Sequence, residues 1–231
     1  MIKIKNKAFT LSEVLITLAV VGSLVALVVP GLIKDYNSKA NMVMLQNMVA
    51  NLQSAIQTQM TRVGATDVDA TDIKNDPEKF FRTLDVVNAS SDNKYFPDLN
   101  GYKTLKGNKL TAIPKRCKAS AKLKNGVALC MSTFAPSIGV SNKQVRTIYI
   151  DLNGVKEPNI AGIDFYAVYI YPVTVINDSK AVHAGDISGV PIETYSVVAQ
   201  SCNKNSEYAP IGCFSQAEQS GFDPNYWKKL L

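Results

Sequence analysis

The chain has a single histidine, His183, in 231 residues. It contains no G-x-x-x-x-G-K-[ST] loop, no H-E-x-x-H and no G-x-S-x-G, so the common phosphate-binding, zinc-hydrolase and serine-hydrolase sites are missing. His183 has no nucleophile that can be paired with it by spacing and reads as a surface residue. No C-x-x-C pair occurs, which argues against a structural zinc site. Catalysis is therefore not expected. Two stretches also lack charge of one kind or of both. Residues 1–8, MIKIKNKA, carry Lys3, Lys5 and Lys7 but no acid, and Val14 to Ile33 carries no charge at all.

That second stretch organises the rest. About 20 apolar residues suffice to cross a ~30 Å hydrocarbon core as a helix. Three lysines ahead of it keep the N-terminus cytoplasmic and direct the C-terminal part outward. At its edge stands Glu13, and an ionised side chain deep in a bilayer costs roughly 2.5–3.5 kcal/mol even on lenient scales. Such a residue needs a partner. A secretory signal is cut behind its apolar region, at a small residue. Here the small residue, Ala8, comes before it. Cutting between Ala8 and Phe9 leaves the apolar segment in the product, with a new amine four residues from Glu13.

Lys-x-Lys-Ala followed by Phe9-Thr10-Leu11-Ser12-Glu13-Val14-Leu15 resembles the cleavage and N-methylation signal of type IV prepilins and type II secretion pseudopilins. The resemblance covers roughly residues 3–36. It implies that a membrane peptidase removes residues 1–8 and methylates Phe9, and that Glu13 meets a neighbouring subunit's N-terminal amine during assembly. It also implies that Gly22 and Pro30 permit local unwinding of the first helix in a filament. One departure is Ala8, where the family usually has Gly, and it bears on the efficiency of cleavage. The implied partners are other pilin or pseudopilin subunits, the prepilin peptidase and an inner-membrane assembly platform. The implied location is the inner membrane, spanned once, with the C-terminal domain outside the cytoplasm. An uncleaved single-pass envelope protein with an extracytoplasmic ligand-binding domain is the alternative.

Four segments follow: a leader 1–8, a membrane or filament-core helix 9–33, an amphipathic helix 34–63 and a globular domain 64–231. In the second helix Leu45, Met48, Val49, Leu52, Ala55, Ile56, Met60 and Val63 recur at three- and four-residue steps. Gly64 is a stop signal. Phe9 to Arg62 makes about 80 Å of helix at ~1.5 Å per residue. Residues 65–125 read as mostly irregular, apart from a short helix opened by Asp76-Pro77 and running to about Leu84. Strands are expected over 127–133, 145–152, 165–171 and 195–199, and loop from Ser201 to Leu231. The fold class is thus α+β, a long N-terminal helix on a small antiparallel sheet, as the resemblance also implies.

Cys117, Cys130, Cys202 and Cys213 are even in number and lie on the outward side, which favours two disulfides. Three connectivities are open. Cys117–Cys130 and Cys202–Cys213 are preferred because each pair brackets a short segment with turn residues. Asp151, Asn153, Asn159 and Asp164 concentrate oxygen donors in one loop that is not an EF-hand. They are candidate calcium ligands, or else turn formers bonded to backbone amides; otherwise no cofactor is expected. From Lys94 to Lys124 there are nine Lys/Arg against the single acid Asp98. Only Tyr95, Phe96 and Tyr102 lie near this block, so nucleic-acid binding is not expected and a solvated face is the default reading.

Overall fold

A computed structural model describes residues 10–96, 99–111, 116–133, 143–154, 156–177, 180–188, 202–206 and 208–226. The helix α1 runs without interruption from Leu11 to Val63. Thr10 caps its start, and Gly64 closes it in the left-handed conformation at φ 63°, donating to Met60 O and Thr61 O. Every described side chain from Leu11 to Ile33 is exposed. In the second half one stripe is buried, formed by Met42, Leu45, Met48, Leu52, Ile56 and Met60. Val49 and Ala55 pack partly against it. Val63 does not join them and is 51% exposed, because it is the last residue of α1 and the chain turns away at Gly64.

Six strands form the main sheet in the order β1-β2-β3-β4-β5-β8, with every pairing antiparallel. They are β1 (Val86–Ser90), β2 (Cys117–Leu123), β3 (Ala128–Ser132), β4 (Arg146–Asp151), β5 (Phe165–Ile170) and β8 (Ile187–Ser188). Between β5 and β8 a separate hairpin pairs β6 (Val175–Asn177) with β7 (Lys180–Val182). The fold is α+β. The expected strands at 127–133, 145–152 and 165–171 correspond to β3, β4 and β5; the one at 195–199 lies outside the described residues.

Two stretches differ from the sequence reading. Beyond the helix expected at Asp76-Pro77, which is α3 (Pro77–Phe81), residues 65–125 also hold β1, β2 and the short helix α2 (Asp72–Asn75). The sequence of β2, CKASAKL, has no β-branched residue, so its strand state comes from its neighbours rather than from propensity. It is clamped between β1 and β3, with Ser120 opposite Cys130 and Ala121 opposite Leu129. The helix opened by Asp76-Pro77 also stops earlier than expected, at Phe81. The tail also holds a helix that was not expected, α4 (Ala209–Gln219), in its middle. Pro210 sits in its first turn, where a missing N–H costs nothing. Burial of Ile211, Cys213, Phe214 and Ala217 supplies what Gly212 takes from helix propensity.

Candidate functional site

The first described turn of α1 is a reciprocal cap. Glu13 N donates to Thr10 Oγ1 at 3.3 Å, while the Glu13 carboxylate accepts from Thr10 N at 2.8 Å and from Thr10 Oγ1 at 2.9 Å. The carboxylate therefore has two donors within its own chain before any neighbour is present. Further along, Thr17 Oγ1 donates to Glu13 O and Val14 O, and Ser23 Oγ donates to Val20 O. These hydroxyls are satisfied by the helix that carries them, as a lipid-facing surface requires. The result is an exposed apolar cylinder long enough to cross a membrane. It continues through Gly22 and Pro30. Pro30 has no N–H to offer the carbonyl of Ala26, so the hydrogen-bond ladder is weakest there without being broken. Ala8 and Phe9 lie outside the described residues.

Asp151, Asn153, Asn159 and Asp164 do come together, in the connection between β4 and β5. Asp151 and Asp164 are both fully buried. One oxygen of Asp151 accepts from the Tyr102 hydroxyl and the other from Asn153 N at 3.1 Å. Asp164 accepts from Asn153 Nδ2 and Asn159 N, each at 3.0 Å, and from Ile160 N at 2.7 Å. Burial pushes the Asp151 carboxyl up to about 8, with the nearby Asp164 adding to the rise against the Tyr102 hydrogen bond. Asp164 is pushed up to about 6 by burial, held back by its amide donors. Asn153 Oδ1 and Asn159 Oδ1 are buried with no hydrogen-bond partner among the described residues. Two carboxylates and two idle amide oxygens make a donor set of the kind hard cations take.

Tyr102 reaches this site from within an aromatic cluster. Its ring lies 4.0 Å from Phe165 and 5.6 Å from Phe96, between centroids. Sequence reasoning placed Tyr102 only in a basic block and missed its hydrogen bond, for which local spacing gives no signal. Thr10 was missed too, although Thr-x-x-Glu ahead of an apolar run is a readable capping box. His183 is exposed, and its backbone N–H donates to Asp186 at 2.8 Å.

The cysteines pair as Cys117–Cys130 and Cys202–Cys213. The first staples β2 to β3, and the second ties the start of the tail to α4. Gly162, at φ +81°, lies against the second bridge, where an added Cβ would stand 2.5 Å from Cys213 Sγ.

Residues 3–29 match the family model described as the prokaryotic N-terminal methylation motif. The chain carries a type IV pilin-like, pseudopilin-like signature. That motif ends within the exposed apolar half of α1, and Thr10 and Glu13 fall inside it. No curated protein and no solved structure matches the chain.

Proposed function

We propose that this chain is a structural subunit, a pilin or pseudopilin, of a type IV pilus or type II secretion filament. The observation that carries the reading is the register between the methylation motif and α1. The motif covers the lipid-compatible half of a helix whose other half is built into a folded domain. A prepilin peptidase would cut between Ala8 and Phe9. The Thr10–Glu13 cap lies beyond the cut and survives in the product. In the inner membrane, with the domain outside the cytoplasm, Thr10 satisfies the Glu13 carboxylate. During assembly the Phe9 amine of a neighbouring subunit approaches it inside an apolar bundle, where opposite charges attract more strongly than in water although both lose hydration. A separate motor would supply the work of extraction.

The test has two arms. Mass spectrometry of the membrane-extracted protein is expected to find Phe9 at the N-terminus, carrying one added methyl. Glu13→Gln is expected to leave insertion and leader removal intact and to abolish recovery in sheared filaments, since breaking a buried pair costs about 3–5 kcal/mol. Met1 retained in cells containing the peptidase would favour an uncleaved envelope protein with a ligand-binding domain. Normal amounts of Glu13→Gln in filaments would remove the carboxylate from docking.

The Asp151–Asp164 loop supports a calcium proposal, on the idle oxygens of Asn153 and Asn159. Bound there, the ion would supply the positive charge that two buried carboxylates lack and hold β4 to β5.

A further inference from the structure

The end of the domain from which α1 departs is basic. Tyr36 is 73% exposed and Met42 is fully buried, so α1 enters the domain between them. Asn41 Nδ2 donates to Ile163 O at 3.2 Å, which sets the turn around residues 159–164 beside that point. Asn41 stands eight residues past Ile33, or about 12 Å beyond the apolar run at ~1.5 Å per residue. Headgroups fill roughly 5–7 Å outside the hydrocarbon. The turn is therefore about one Debye length, ~8 Å, or less from the headgroup layer.

Backbone bonds tie a lysine-rich segment to the same turn. Lys103 N donates to Asn159 O and Ala161 N donates to Lys103 O, both at 2.9 Å. The segment folds back so that Lys109 bridges Lys103, and Lys106 N donates to Lys204 O at 3.2 Å. Lys103, Lys106, Lys109 and Lys204 thus collect at one end. Glu157 lies 3.9 Å from Lys103. Among the described residues no carboxylate lies within ion-pair distance of Lys106 or Lys109, and both side chains are exposed. A second copy of the chain is a poor match for this charge through its acidic 67–78 segment. There Asp67, Asp69, Asp72 and Glu78 are already paired internally with Lys143, Arg146, Lys79 and Arg82.

We propose that this lysine-rich end docks on the anionic phospholipid headgroups of the bilayer that holds the apolar half of α1. The proposal rests on reading Leu11–Ile33 as a membrane segment. It gives the stored subunit a second, electrostatic hold on the membrane, separate from its helix. Docking fixes the orientation of the domain, and a subunit drawn into a filament releases the lipid phosphates.

The test uses the full chain reconstituted in vesicles of phosphatidylcholine alone or mixed with phosphatidylglycerol, with insertion checked by flotation. Amide hydrogen exchange over residues 99–111 is expected to slow in the anionic vesicles, by roughly fivefold for each lysine engaged. High salt reverses the protection. The Lys106→Glu/Lys109→Glu variant loses it, while exchange in β4 and β5 stays at the wild-type rate. Flotation with equal exchange in both vesicles would overturn this proposal alone. So would equal protection from soluble glycerophosphate added to phosphatidylcholine vesicles. Failure to float with either vesicle would overturn the membrane reading, and this proposal with it.

Discussion

Asp69 stands where three cations converge, with Arg146 Nη2 at 2.6 Å, Lys74 Nζ at 2.9 Å and Lys143 Nζ at 3.5 Å. Burial works to raise its pKa, but hydrogen bonds and charge from Arg146 and Lys74 outweigh it and hold the carboxyl below its ordinary value. A depressed carboxylate stabilises the fold in full above its unfolded value of about 3.9. That contribution fades as pH falls through the lower, folded value. Asp69→Asn is expected to cost about 3–5 kcal/mol near neutral pH, because Arg146 is only 8% exposed and would keep its charge without its partner. Urea titrations should show the deficit shrinking below pH 4. A constant deficit across that range would mean that packing, not charge, sets the cost. Calcium is tested at the same scale. A ligand bound only to the native state at ~100-fold saturation stabilises by ~2.7 kcal/mol. Chelator is therefore expected to lower the thermal midpoint of the wild type and to leave Asp164→Ala unmoved. An unchanged wild-type midpoint would leave the loop as a hydrogen-bonded turn.

Among the elements, α4 and the 160–165 turn depend on each other through Gly162. Its positive φ disfavours any side chain, and a Cβ would press on the Cys202–Cys213 bridge. Gly162→Ala is expected to destabilise the domain by more than 1 kcal/mol in thermal melts and to slow closure of that disulfide. Gly22→Ala meets nothing within 4 Å and should raise helix stability in the isolated chain by up to ~1 kcal/mol. Elements with a strong period were legible beforehand. The stripe from Leu45 to Met60 announces itself, and Gly64 marks where α1 stops, whereas the alternation over 146–152 suggests a half-buried strand and β4 is buried on both faces. β2 and α4 were not legible. The Ala, Lys and Ser of β2 carry no strand preference, and Pro210 and Gly212 read as breakers until burial overrides them. Within the candidate sites, Asp151 and Asp164 could be found by residue type. Tyr102 could not, since only the tertiary fold brings it to a carboxylate 49 residues away.

For the whole molecule, the boundary between the anchored and folded parts falls inside one helix. No described side chain from Leu11 to Ile33 is buried, whereas Met42 onward belongs to the core. Deleting residues 1–34 is therefore expected to leave a soluble domain that melts in one transition, at the midpoint of the full chain in detergent. A large drop would show that the apolar half supports the domain after all. The continuity of α1 also has a mechanical consequence. A pull on the N-terminus runs along the helix axis and enters the domain as shear, spread over the whole buried stripe from Met42 to Met60. Contacts loaded in shear must slide together, whereas a strand peeled from an edge yields one bond at a time. The helix is thus a tow-bar set lengthwise in the body it moves; under the function proposed above, the subunit would be hauled out of a bilayer without its domain coming apart.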